Sequence, residues 1–144
     1  MNEYRYGAPA DEKPLDRLIT DGGYASIFRS IACIGDSLSS GEFEATNEKG
    51  DTVYADMFEY SWGQFLGRAC GSKVYNFSRG GMSAKEYVES FAEANDFWNK
   101  DKACQAYIFA LGVNDLYNFG QDVGTISDIC AEDYTQNAKT FVGY

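Results

Sequence analysis

Ile31-Ala32-Cys33-Ile34-Gly35-Asp36-Ser37-Leu38 opens on an unbroken apolar run and stops abruptly in glycine, aspartate and serine. A half-solvated strand would alternate apolar with polar residues. A continuous run of this length suits a strand buried on both faces, as in a parallel sheet covered by helices. The strand is expected over Phe28 to Ile34, and Ser37 then falls at the start of whatever follows. Two further segments repeat the pattern. Lys73 to Phe77 runs into Asn76-Phe77-Ser78-Arg79-Gly80-Gly81-Met82-Ser83, and the buried strand Ala106 to Leu111 runs into Gly112-Val113-Asn114-Asp115.

Helical periodicity lies between these strands. Phe58, Trp62, Phe65, Leu66 and Ala69 recur at the spacing of one helix face within Tyr54 to Ala69, with Gly67 and Gly71 marking the end. Ser83-Ala84-Lys85-Glu86 is a capping box, and the helix after it should bury Ala84, Tyr87, Val88, Phe91 and Trp98. Tyr134, Ala138, Phe141 and Val142 predict a last helix over roughly Ala131 to Tyr144. Glu42 to Asp51 reads as a charged, solvated loop; its acidic residues lack the spacing of an EF-hand. Strands alternating with helices predict an α/β fold with a parallel sheet and right-handed crossovers. The aromatic stripes on the helices are read as core, since they match the face a helix must bury.

A chain of 144 residues fits one domain. Residues 1–27, polar and rich in turn formers (Pro9, Pro14, Asp21-Gly22-Gly23), read as an N-terminal extension, and residues 28–144 as the domain. With 44% hydrophobic and 16% aromatic residues the chain is globular and not disordered. Its net charge of −10 excludes nucleic acid, whose phosphates demand a basic face, and an anionic membrane surface. A small-molecule substrate is the partner left open. No apolar stretch has transmembrane length, and Met1 to Tyr6 lacks the apolar core of a secretory signal. The cytoplasm is therefore the expected compartment, with Cys33, Cys70, Cys104 and Cys130 as reduced and mostly buried thiols. The chain contains 0 histidines, which removes the commonest general base and the commonest transition-metal ligand at once. No metal and no cofactor is expected.

Open parallel sheets bind ligands beyond the carboxyl ends of their strands. Each strand end here carries a small polar or glycine-rich motif, and the three motifs are chemically coherent. A serine at a helix start exposes its hydroxyl and its backbone N–H to the same space. Gly81 offers an unshielded N–H, Asn114 a side-chain amide. Together these are the parts of an oxyanion hole for acyl transfer. Asp36 is read as fixing the turn by bonding backbone amides, Asp115 likewise as structural, and Ser39 and Ser40 as capping or loop residues.

Gly35-Asp36-Ser37-Leu38 after four apolar residues, Gly81 five residues after Asn76, and Gly112-x-Asn114-Asp115 resemble the first three blocks of the SGNH/GDSL hydrolases. The resemblance covers about Phe28 to Tyr144. It implies a flavodoxin-like three-layer α/β/α fold, an esterase or lipase activity on a small-molecule ester, and no cofactor. On this resemblance Ser37 is the nucleophile, and Ser37, Gly81 and Asn114 form the oxyanion hole. Gly80 is the weaker candidate for the glycine. Gly81-Met82-Ser83-Ala84-x-x-Tyr87 is further similar to carbohydrate acetylesterases of that group. The G-x-S-x-G elbow of other serine hydrolases does not fit, because Ser39 stands where it needs glycine.

The family's fourth block, Asp-x-x-His, is absent, and with it the base. The expectation is a chain that stops after the third strand and its helix and is nearly inert as it stands. A non-catalytic binding module that keeps the pocket is the alternative. A flavodoxin-like nucleotide binder is disfavoured, since no glycine-rich loop is paired with a lysine. The sequence carries no sign of oligomeric state or of the ester's acyl and alcohol parts.

Overall fold

The computed structural model describes residues 23–128 and 139–144. Its centre is a parallel sheet in which β1 (Ser30–Gly35) lies between β4 (Lys73–Asn76) and β5 (Ala106–Ala110). Cys33 pairs with Asn76 on one side, and Gly35 with Ala110 on the other, so the three strands end at one edge.

Successive side chains of a strand point to opposite faces, and β1 uses both. Ile31 and Cys33 join Val74 beneath α2 (Trp62–Cys70), with Phe58 and Leu66 packed against them. Ala32 and Ile34 join Phe77, Met82, Tyr87 and Ala92 on the other face, beneath the helix over 84–94. That helix, α3, starts as Ala84–Glu86, widens into a π turn at Tyr87–Phe91 and closes as Ala92–Ala94. Since β4 and β5 flank β1 on opposite sides, crossovers of one hand put α2 and α3 on opposite faces. The result is the expected three-layer α/β/α arrangement.

α2 lies close to the sheet because two of its inward positions have no side chain. A methyl at Gly63 would stand 2.8 Å from Cys33 Sγ, and one at Gly67 would stand 2.8 Å from Val74 Cγ2 and 2.9 Å from the Ser72 carbonyl oxygen. Alanine in a helix interior ordinarily gains up to ~1 kcal/mol over glycine. At Gly67 the obstacle includes backbone, and overpacking of about 1–3 kcal/mol should win. Gly67→Ala should therefore lower the midpoint of urea unfolding; an unchanged or raised midpoint would show that the helix shifts freely.

Several expectations are corrected. The segment 42–56 is neither a loop nor the beginning of a helix. Glu42–Thr46 (β2) and Thr52–Asp56 (β3) pair antiparallel as a hairpin, with Phe43 opposite Ala55 and Ala45 opposite Val53. Asn47 closes its turn by accepting from the backbone N–H of Lys49 and Asp51 (2.9 Å each), and Gly50 takes φ +85°. The helix expected from Tyr54 is thus confined to α2, after a 3-10 turn at Phe58–Tyr60.

α3 ends earlier than its aromatic spacing suggests. Asp96 adopts φ 57°, Asp96 N–H donates to Glu93 O (3.0 Å) and Phe97 N–H to Ala92 O (2.8 Å). This is the bonding of a Schellman motif, which turns the following residue inward. Phe97 accordingly stacks on Phe77 with ring centroids 4.1 Å apart, while Trp98, expected in the core, stays 52% exposed.

β5 is an edge strand and not a fully buried one. Among the described residues it pairs only with β1, and Tyr107 and Phe109 stand out from it, 43% and 71% exposed. The helix expected at 131–144 lies in part outside the described residues, and residues 139–144 form a turn. The N-terminal extension also lies outside them as far as residue 22. Of the thiols, Cys33 is buried and Cys70 and Cys104 are half-buried, while Cys130 lies outside the described residues. Burial pushes the Cys33 thiol up to about 11, which keeps it neutral and unreactive in the central strand.

Candidate active site at the carboxyl edge of the sheet

Ser37 is the first residue of α1 (Ser37–Ser40), one residue beyond β1. Asp36 caps this turn: its Oδ1 accepts from Leu38 N–H at 3.1 Å, and only 3% of the residue is exposed. That short side chain satisfies an amide which a strand-to-helix turn otherwise leaves orphaned. Gly41 ends the turn at φ +76°. The three serines of α1 are not equivalent. Ser39 and Ser40 are buried, and Ser40 Oγ donates to Asp56 Oδ1 at 2.6 Å, which anchors the hairpin. Ser37 alone is half-buried, with its hydroxyl in no hydrogen bond among the described residues.

Arg79 N–H donates to Gly35 O at 3.2 Å and ties the loop after β4 to the end of β1. The chain then reverses, with Met82 N–H donating to Arg79 O at 3.2 Å and Gly81 at φ +73°. This is the third position of a turn that calls for a left-handed residue, hence glycine. Space around Gly81 is open. At Gly80 the Glu42 carboxylate lies against the α-carbon. Ser83 Oγ accepts from Glu86 N–H at 3.1 Å to start α3. Only that half of the capping box forms, because the Glu86 carboxylate is drawn instead to Arg79, 2.6 Å away.

The loop after β5 joins the other two through buried side chains. Asn114 opens a π turn (Asn114–Asn118), and its Nδ2 donates to Met82 O at 3.0 Å. Asn118 Nδ2 in turn donates to Asn114 Oδ1 at 2.6 Å. Asp115, 0% exposed, accepts from Ala84 N–H at 2.8 Å. Arg79 to Gly35, Asn114 to Met82 and Asp115 to Ala84 thus link three loops that emerge from adjacent strands. They bring Ser37, Gly81 and Asn114 to one edge of the sheet.

Chemically, this edge offers a hydroxyl, backbone N–H groups and a carboxamide. A carboxamide nitrogen carries two hydrogens, so the bond to Met82 leaves one for a ligand. No described group is placed to take the proton of Ser37. Among the described residues no three His, Cys, Asp or Glu side chains cluster as metal ligands. No helix among them is long and apolar enough to cross a membrane. Asn118 and the Met82 carbonyl were not picked out from the sequence, and Glu42 was read only as part of a solvated acidic loop. For Asn118 a signal existed, since residues four apart on a helical turn face one another.

The open parallel sheet, with helices on both faces and a serine at the carboxyl end of its central strand, defines the class as a three-layer α/β protein with its candidate site at the strand ends. The GDSL-like Lipase/Acylhydrolase family model matches residues 31–143, and the chain belongs to that family. Comparison with curated proteins and with solved structures gives no match.

Proposed function

We propose that the chain carries the nucleophile and the oxyanion hole of a serine ester hydrolase. Ser37 Oγ attacks the ester carbonyl. The developing oxyanion is held by the backbone N–H of Ser37 and Gly81 and by Asn114 Nδ2, and a histidine from outside these 144 residues takes the proton. The observation that carries this reading is the Asn114–Met82 bond, which holds a polar amide at the strand ends beside the loop of Gly81. The substrate is a small ester, with a sugar acetate favoured by the resemblance around Gly81.

Exogenous imidazole can stand in for the missing base. With a fluorophosphonate in imidazole buffer, peptide mass spectrometry should find the adduct on Ser37. Adduct on Ser39 or Ser40 with Ser37 unmodified would overturn the assignment, and no adduct on any serine would favour a non-catalytic module.

A further inference from the structure

We infer that Asn118 is a positioning residue that, together with the Met82 carbonyl, holds the nitrogen end of the Asn114 carboxamide toward the oxyanion; this rests on the reading of Asn114 as an oxyanion donor. A carboxamide is nearly symmetric in shape, and its terminal torsion is broad. Sterics therefore do not choose between nitrogen and oxygen, and the hydrogen-bond partners do. Asn114 is clamped at both ends. Met82 O, which only accepts, faces Nδ2 at 3.0 Å, and Asn118 Nδ2, which only donates, faces Oδ1 at 2.6 Å. A flipped amide would set oxygen against the Met82 carbonyl and an N–H against the Asn118 amide nitrogen. The Met82 bond would be lost at a residue only 7% exposed, where unpaired polar groups are costly. The Asn118 bond would survive only if the exposed Asn118 amide turned as well.

The backbone explains how Asn118 reaches its partner. Phe119 N–H donates to Asn114 O at 2.9 Å, closing a π turn, and Asn118 projects back over the first residue of that turn. Single π turns inside helical segments recur at functional sites. A bond received at Oδ1 also polarises the carboxamide, which makes the remaining N–H of Asn114 a stronger donor. Asn118 is itself exposed and is given no place in the core.

The test is the rate of Ser37 phosphonylation by a fluorophosphonate in imidazole buffer, with thermal unfolding of each variant alongside. Asn118→Asp keeps the shape and replaces the donor by an acceptor, so Asn114 should turn its NH2 toward the carboxylate and its oxygen toward the oxyanion. The rate should fall about as far as in Asn114→Ala, by ~10²–10³. Asn118→Ala, which removes the donor without reversing it, should fall less. The double variant Asn114→Ala/Asn118→Asp should be no slower than Asn114→Ala alone, because the two changes remove one donor. Lowering the pH should shrink the deficit of Asn118→Asp relative to the parent chain, since a protonated carboxyl can donate again. A merely structural role would move the unfolding midpoint without that pH dependence. A slow Asn114→Ala beside an Asn118→Asp at parental rate overturns the positioning role alone, as do fully additive losses. An Asn114→Ala at parental rate overturns the oxyanion reading and this inference with it.

Discussion

On its own, the 144-residue chain should hydrolyse p-nitrophenyl acetate only faintly, at a rate that Ser37→Ala scarcely changes. A neutral serine needs a base within ~2.6–3.2 Å to lose its proton during attack. The chain has 0 histidines, and no described side chain bonds the Ser37 hydroxyl. Asp36, the nearest carboxylate in sequence, is committed to the Leu38 amide at 3.1 Å. Oxyanion donors alone sustain ~10³–10⁴-fold catalysis over water in hydrolases stripped of their triad. Supplying a histidine, on a polypeptide segment joined to the chain or added to it, should raise the rate by the ~10²–10⁴ that a positioned base contributes. That gain should vanish in Ser37→Ala. Ordinary enzyme rates from the unsupplemented chain, abolished by Ser37→Ala, would reveal a base elsewhere and refute this account.

In the same base-supplied system, Asn114→Ala should cut kcat by ~10²–10³, the usual loss for one oxyanion donor. KM should change little, because the donor acts chiefly on the transition state. The mutation also leaves Met82 O without its 3.0 Å partner at a position 0% exposed. A stability loss of ~1–3 kcal/mol should accompany the kinetic one. The two effects separate experimentally. If Asn114 only pins its loop, the variant will unfold at lower temperature yet turn over normally once folded. If it also serves the oxyanion, kcat falls at temperatures where circular dichroism shows the variant fully folded.

The layers of the fold were legible because they rest on local patterns. The run Ile31 to Ile34 suited a strand covered on both faces, and β1 indeed feeds two cores with alternate residues. The glycines and polar residues after each strand placed the candidate residues at one edge, since parallel strands must all end on the same side. The readings that failed involved competition between local signals. Phe58 to Ala69 has true helical spacing, but Thr52-Val53-Tyr54 before it is β-branched and aromatic. It found a partner in Glu42–Thr46 across a turn closed by the Asn47 side chain. Trp98 fits the same stripe as Tyr87 and Phe91, yet one left-handed residue, Asp96, sent Phe97 inward in its place.

By itself, then, the sequence determined the family, the parallel order of strand and helix, the serine at the end of the first strand and the lack of a histidine, all carried by contiguous residues or by composition. The tertiary structure decided how those residues are joined. The bonds from Asn114 to Met82, from Asp115 to Ala84 and from Arg79 to Gly35 cross 32, 31 and 44 positions of chain. The exposure of β5 and the split between buried Ser39 and Ser40 and half-buried Ser37 are likewise set by what packs alongside. Periodicity reports the face a residue occupies, whereas a hydrogen bond between loops depends on where two separate strands come to end.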